Sequence, residues 1–128
     1  MQFTLGKEEK LKSKKLIQQL FAEGKNVKSF PFRLVYLPAN HFGELPIKVG
    51  FSVPKRNVKL AVHRNRIKRM MREVYRKNKD SFKENLDKQY IFMLVYMAKE
   101  EINYNELELS LKKVCTKFHN KIKEDEQN

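Results

Sequence analysis

The sequence is poor in the residues that build covalent or metal-centred chemistry. Cys115 is the only cysteine among 128 residues, which excludes an intrachain disulfide and a cysteine-rich zinc site. Its helical spacing with apolar neighbours indicates a small core residue. Asp80, Asp87 and Asp125 are the only aspartates and lie far apart, and the glutamates show no spacing that would gather two carboxylates around a metal pair. A self-sufficient metal nuclease is therefore not expected.

Histidine is also scarce. His41, His63 and His119 form neither an HxH motif nor a Cys/His ligand pattern. The surrounding sequence predicts a turn for His41, the interior of a basic helix for His63 and the last helix for His119. We expect surface or packing roles for all three, and we predict no catalytic and no metal-binding side chain in this protein.

Long hydrophobic runs are missing as well. No stretch approaches the ~20 apolar residues that cross a bilayer, and residues 1–10 lack the apolar core of a signal peptide. We therefore expect a cytoplasmic protein with no membrane partner.

Acidic residues are outnumbered by basic ones. Against 15 Asp and Glu stand 28 Lys and Arg, which gives a formal charge of +13 and an isoelectric point near 9.9. A balance of this kind is typical of domains that bind a polyanion, nucleic acid above all. The alternatives are a soluble domain that is merely basic and a protein that binds to an anionic membrane surface. The positions of the charges must decide between them.

The length and the 41% apolar content suit one compact domain over 1–128. A short amphipathic helix is predicted over 13–23, with Ser13 as N-cap and Gly24 as the stop. Alternating apolar residues predict strands over 30–37, where Phe30 shares a face with Phe32, and over 47–53. The turn residues between them, at 40–46, favour a hairpin.

Three further elements are predicted in the second half of the chain. A long helix is expected over 57–78, capped by Asn57. The segment 89–97 is apolar on both faces, as in a central strand that pairs on both sides. A last helix is predicted from Asn105, with Glu108 in capping-box position. The segments 1–10 and 124–128 are expected to be flexible. The order α-β-β-α-β-α predicts an α+β fold with a sheet packed by helices.

The long helix carries most of the net charge. Between Lys55 and Lys79 there are eleven Lys and Arg and one acid, Glu73, so the segment contributes +10. At 100° per residue the exposed face should hold arginines, and the opposite face should be apolar. The predicted apolar face consists of Leu60, Ile67, Met71 and Val74. The predicted cationic face consists of Asn65, Arg66, Arg69, Arg72 and Arg76, with Arg64 and Lys68 flanking the apolar stripe.

Arginine dominates this cationic face, which favours forked hydrogen bonds to phosphate. Like charges this dense repel one another unless something anionic lies against them. A helix-turn-helix reader is a rival interpretation, but 47–53 is predicted as a strand, so the second helix would lack its usual partner. Binding to the backbone of structured RNA or DNA fits the pattern best.

The run from Lys55 to Glu73, KRNVKLAVHRNRIKRMMRE, resembles the RNR signature of the bacterial ribonuclease P protein family. The resemblance extends to the early Leu-Lys helix, the Gly-Phe-Ser-Val-x-Lys-Arg entry to the basic helix, and the late apolar strand and helix. It implies a subunit of an endoribonuclease holoenzyme that removes the 5′ leader from precursor tRNA. In that family a catalytic RNA with bound Mg²⁺ performs the hydrolysis, and the protein assists. No organic cofactor and no DNA partner are implied.

The resemblance also assigns residues to two surfaces. It places eight residues against the catalytic RNA: Lys55, Arg56, Arg64, Asn65, Arg66, Lys68, Arg69 and Arg72. It places the single-stranded leader in a cleft between the first helix and the sheet, where unpaired bases can stack on aromatics. Phe21 matches a cleft aromatic of the family. Arg33, Lys48 and Ser52 lie on the predicted sheet face opposite the apolar core pattern and complete the predicted leader site. Many family members carry aromatics where this sequence has Ile17 and Val35, and Phe21 could equally be a core residue.

Two other functions remain open on the sequence alone. A ribosome-associated or regulatory binder of RNA or DNA could use the same basic helix without any catalytic RNA. An adaptor for a membrane surface or an acidic protein is the third hypothesis.

Overall fold

A computed structural model describes residues 9–40 and 43–127 as three helices and a four-stranded sheet. The predicted α+β class and all six predicted elements are confirmed, and one further strand, β1, was missed. The predicted turn position of His41 lies outside the described residues. The elements are α1 Lys14–Glu23, β1 Lys25–Ser29, β2 Phe32–Pro38, β3 Ile47–Ser52, α2 Ala61–Lys83, β4 Tyr90–Tyr96 and α3 Tyr104–Gln127.

Strand β1 escaped prediction because its sequence, KNVKS, has a single apolar residue. It is an edge strand that pairs antiparallel with β2, and lysines are common on exposed edges because they discourage further pairing. The β1–β2 turn contains Phe30, which was predicted to lie on the strand face with Phe32 but is 70% exposed.

The strand order is β1-β2-β4-β3. β4 pairs antiparallel with β2 and parallel with β3, as expected for a strand that is buried along its whole length. The predicted hairpin between β2 and β3 is therefore wrong, because β4 lies between them. The helical crossover through α2 makes β3 and β4 parallel.

The sheet separates two apolar clusters. The larger one lies between the sheet and helices α2 and α3, and includes the buried rings of Phe92 and Phe118. The smaller one lies under α1 on the opposite face, where Leu20 packs with Val35 and Met93. α1 contacts β2 and β4. The part of this sheet face that belongs to β3 is therefore not covered by α1.

The limits of α1 agree with the sequence. Ser13 is the N-cap, and its hydroxyl accepts a hydrogen bond from the Leu16 amide. Gly24 follows the last turn and donates its amide to the Leu20 carbonyl. A Cβ atom at this position would lie 2.3 Å from the Leu20 oxygen, so only glycine allows the chain to pass directly from α1 into β1.

The start of α2 differs from the prediction. Asn57 is not its cap: its side chain donates to the Tyr96 carbonyl, and its own amide donates to Pro54 in a turn. The buried Val58 anchors this turn to the core. The helix begins at Ala61 with Leu60 as N-cap, and Leu60, predicted to be buried, is 59% exposed.

The start of α3 also differs by one or two residues. Asn103 accepts a hydrogen bond from the Glu106 amide through its side chain and one from Leu107 through its carbonyl, so it caps the helix in place of Asn105. Glu108 makes no capping contact and instead accepts from Asn78 on α2. The helix continues through Gln127, past the start of the predicted polar tail.

Candidate nucleic-acid interface

The burial of α2 follows the predicted amphipathic pattern. Ile67, Met71 and Val74 are at most 1% exposed and pack in the larger core. The exposed side carries Asn65, Arg66, Arg69 and Arg72, while Arg64 and Lys68 lie at its border and are half-buried. Lys55 and Arg56 are exposed in the turn that precedes the helix. We call these eight residues the RNR face.

The RNR face has no acidic partner within its own segment. Residues 55–72 contain eight Lys and Arg and no Asp or Glu. Glu73, the nearest acid along the chain, pairs with Arg76 at 2.5 Å and lies 4.0 Å from Lys77. Arg76 is half-buried by this contact, so it contributes less to the exposed face than the sequence predicted. The acidic side chain that is nearest to the RNR face along the chain therefore pairs with cations outside this face.

Arg64 has an internal role within this face. Its Nη1 atom donates to the carbonyls of Val58, at 3.0 Å, and Lys59, at 2.7 Å. A guanidinium presents five donors in a fixed plane, so others remain for a phosphate. Arg64 thus fixes the turn that carries Lys55 and Arg56 against the first turn of α2.

Two other arginines have partial restraints. Arg66 forms an exposed ion pair with Glu101, 3.3 Å away, from the segment that precedes α3. Arg72 donates weakly, at 3.4 Å, to the Lys68 carbonyl one turn earlier. Exposed contacts of this type contribute little to stability, so both guanidiniums can exchange them for a stronger anionic partner.

A groove of about 360 Å³ adjoins the RNR face. Asn65, Lys68 and Arg72 form one wall, and the other wall contains Lys10 and Lys12 from the segment that precedes α1. This segment runs beside β3, with Lys10 bridged to Val49 in parallel. The two lysines were missed by the sequence analysis, although the alternation Lys10-Leu11-Lys12 before the Ser13 cap is typical of a short extended segment.

The polar cleft residues share the sheet face that carries α1. Arg33 is in register with Val95, and Val95 with Ser52, so the three lie in one row across β2, β4 and β3. Lys48 lies on the same face of β3, paired with Ile91. Arg33 is half-buried, and its Nε atom has no hydrogen-bond partner among the described residues.

Phe21 lies on α1, the helix that contacts β2 and β4 on this face, and is 53% exposed. The alternative that it is a plain core residue is therefore excluded, and its ring can be reached from solvent. Ile17 packs partly on the smaller core, and Val35 is buried within it. Phe21 is therefore the aromatic side chain that α1 provides to the cleft.

The histidines and the cysteine of the described residues lie outside the RNR face and the cleft. Within 9–40 and 43–127, no group of three His, Cys, Asp or Glu is placed to hold a metal ion. His119 contacts the Ser81 carbonyl at 2.7 Å, and burial raises the pKa of the Cys115 thiol to about 11. No helix in the described part of the chain is long and apolar enough to cross a membrane.

Comparisons with known proteins assign the family. A family model described as Ribonuclease P matches residues 5–119. The chain belongs to the ribonuclease P protein family. A relative from Porphyromonas gingivalis, named ribonuclease P protein component, is 34% identical over 73% of this chain and 68% of its own length. One of the same name from Streptococcus agalactiae is 36% identical over 80% and 86%.

Solved structures of the ribonuclease P protein family have the same fold. The protein from Thermotoga maritima superposes with a TM-score of 0.68 at 21% identity, covering 85% of this chain and 96% of its own. The protein from Staphylococcus aureus gives 0.63 at 26% identity, covering 84% and 93%. The resemblance drawn from the RNR signature is thus confirmed at the level of family and fold.

Proposed function

We propose that this protein is the protein subunit of a ribonuclease P holoenzyme. It binds the catalytic RNA through the RNR face and the 5′ leader of precursor tRNA in the cleft beside α1, and so assists the endonucleolytic removal of the leader. We expect it to work in the cytoplasm, with RNA and not with DNA or membranes.

The observation that carries the proposal is the RNR face, whose segment 55–72 contains eight Lys and Arg and no acidic residue. The exposed cations Arg66, Arg69 and Arg72 lie opposite a fully buried apolar stripe, so the helix cannot rotate to relieve their repulsion. RNA phosphates supply the missing negative charge, and arginine forks suit phosphate oxygens. Membership of the ribonuclease P protein family, together with this face, identifies the polyanion that we propose as the catalytic RNA.

The cleft supports the second half of the proposal. Lys48 and Arg33 supply positive charge on its floor, Ser52 supplies a hydroxyl, and the exposed ring of Phe21 can stack on an unpaired base. With Phe21 as the aromatic of α1, we expect the leader to be held largely by contacts to its backbone.

The protein's contribution is electrostatic. Two RNAs that approach each other repel through their phosphates, and a cationic protein between them reduces this cost, so leader-bearing substrate binds at lower Mg²⁺. Mg²⁺ bound mainly by the RNA supplies the hydrolytic chemistry, while the residues of this chain bind and orient the two RNAs.

The test is reconstitution at limiting Mg²⁺. The purified protein is mixed with a bacterial ribonuclease P RNA and precursor tRNA, and release of the 5′ leader is followed. Cleavage that requires both components supports the proposal. Failure to stimulate cleavage at any Mg²⁺ concentration would indicate an RNA binder without a catalytic partner, and cleavage by the protein alone would contradict both functions.

The double variant Arg66→Ala/Arg69→Ala separates the RNR face from general basicity. Each lost phosphate contact should reduce the slope of log K against log salt by about 1. The matched control is Lys112→Ala/Lys113→Ala, which removes two exposed cations from α3. An unchanged salt slope in the arginine variant would overturn the assignment of the RNR face.

A further inference from the structure

Two large apolar side chains are exposed within the cationic segment. Leu60 is 59% and Val62 is 63% exposed, and both lie between Lys59 and Arg64 at the start of α2. An exposed leucine is ordinary on most surfaces. Here, however, the surrounding segment 55–72 is otherwise dominated by eight cations, and neither side chain adds to the core.

A leucine at the position of Leu60 stabilises the start of α2 poorly. It occupies the N-cap of α2 and provides no side-chain hydrogen bond, whereas Ser13 and Asn103 provide one for α1 and α3. Leucine is among the weakest N-cap residues, and a serine at this place would satisfy an amide of the first turn. Departures from local rules of this kind are typical of functional positions.

The backbone around Leu60 is nevertheless well fixed. Its carbonyl accepts hydrogen bonds from the amides of His63 and Arg64. The Arg64 guanidinium holds the two preceding carbonyls, those of Val58 and Lys59. The apolar pair is therefore presented by a rigid segment, which reduces the entropy lost when a partner binds.

The charge around the pair restricts what can cover it. A second copy of this chain would bring the same dense positive charge against it, and a lipid or protein partner would have to be strongly acidic. RNA combines negative charge with flat apolar surface, but only where a base is unpaired, because a duplex buries the faces of its bases and presents phosphates and hydroxyls. Charge complementarity thus favours a single-stranded or bulged nucleotide.

We infer that Leu60 and Val62 form an apolar contact for the face of an unpaired nucleobase in the RNA bound to α2. The inference rests on the proposed RNA-binding function and adds a recognition element to it. Phosphate contacts by the arginines do not distinguish one base sequence from another or paired from unpaired bases. The contact with Leu60 and Val62, in contrast, selects RNA that exposes a base beside the start of the helix.

The experiment compares salt dependence and affinity in the full-length protein. Binding to a ribonuclease P RNA is measured over a salt series for Leu60→Ser/Val62→Ser. We expect affinity to fall by about tenfold with an unchanged slope, because apolar contact is lost and no phosphate contact is removed. Base-specific chemical probing should show one unpaired nucleotide that the unmodified protein protects and the variant leaves reactive.

A single variant separates a lost RNA contact from a loss of folding. Leu60→Ser alone supplies a better N-cap, so we expect its melting temperature to rise while its RNA affinity falls. The control Leu109→Ser removes a leucine that is 60% exposed on α3 and should leave RNA affinity unchanged.

Three outcomes would overturn the inference: unchanged affinity in Leu60→Ser/Val62→Ser, a reduced salt slope like that of the arginine variant, or no nucleotide whose protection depends on the pair. In each case a normal loss of slope in Arg66→Ala/Arg69→Ala would leave the proposed function intact. An unchanged slope in Arg66→Ala/Arg69→Ala together with an unchanged affinity in Leu60→Ser/Val62→Ser would count against both.

Discussion

The ammonium group of Lys79 donates to both carboxylate oxygens of Glu9, at 3.0 and 3.1 Å. The two side chains are only 10% and 13% exposed, so the pair is largely withdrawn from water. Lys83 adds a second, longer contact to the same carboxylate at 3.9 Å. The segment before α1 is thereby attached to the C-terminal half of α2, 70 residues away along the chain.

Glu9→Gln should destabilise the fold by about 2–3 kcal/mol, because it removes the charge of a largely buried ion pair and weakens its two charge-assisted hydrogen bonds. Chemical denaturation at pH 7 measures the free energy of unfolding. Glu44→Gln is the matched control, since Glu44 is exposed in the loop before β3, and it should change stability by less than about 0.5 kcal/mol. Equal effects in the two variants would show that the pair does not stabilise the chain.

Tyr36 is 1% exposed, and its hydroxyl has no hydrogen-bond partner among the residues described. Burial, reinforced by the charge of Asp125, raises the pKa of Tyr36 to about 12. The unfolded chain loses this proton near pH 10 and the folded chain only near pH 12. The raised pKa of Tyr36 therefore contributes fully to the free energy of unfolding below pH 10. This contribution is lost as the pH rises from about 10 to about 12.

Tyr36→Phe should accordingly be at least as stable as the unmodified protein at pH 7, because it removes a buried hydroxyl without a partner, a gain of up to about 1 kcal/mol. Its stability should also fall less steeply between pH 10 and 12. Thermal unfolding across this range provides the measurement. A steeper alkaline loss in the variant, or a large loss at pH 7, would contradict the assignment.

Periodicity predicted the elements that are defined by their own side chains. The apolar stripes of α1 and α3 and the doubly apolar β4 could each be identified within one segment. β1 could not, because its five residues gain their structure from pairing with β2 and from the contact of Lys117 on α3 with the Lys28 carbonyl, at 2.5 Å. The predicted β2–β3 hairpin was wrong because the pairing of both strands depends on β4, which is separated from the end of β3 by 37 residues.

The RNR face was predictable for a related reason. Helical spacing alone separates Ile67 and Met71 from the arginines opposite them. The contacts that modify individual arginines were not predictable, since Glu101 reaches Arg66 across 35 residues and Arg64 turns back to the preceding carbonyls. The exposure of Leu60 was missed because the helix was started three residues too early, at a residue whose amide side chain is bound to β4.

Arg64→Lys should separate the positioning role of Arg64 from its charge. Lysine keeps the charge but lacks the planar fork that holds two carbonyls, so we expect a loss of about 1 kcal/mol in stability and a faster amide hydrogen exchange at Asn57 and Val58. RNA affinity should fall with little change in salt slope. Arg69→Lys, on the exposed side of the same helix, is the control and should leave exchange in the turn unchanged. Equal exchange in both variants would contradict the positioning role.

The ion pair between Arg66 and Glu101 predicts a variant with improved binding. A phosphate must displace the Glu101 carboxylate before it can use the whole Arg66 guanidinium, so Glu101→Gln should raise affinity for a ribonuclease P RNA by about two- to fivefold at low salt. Glu100→Gln removes the same charge one residue away, and the Glu100 side chain is exposed, so its effect should be smaller and confined to long-range attraction. The gain of Glu101→Gln should disappear when Arg66→Ala is added, because the two changes act on one contact. A similar gain in Glu100→Gln, or a gain that persists without Arg66, would show that net charge and not this ion pair limits binding.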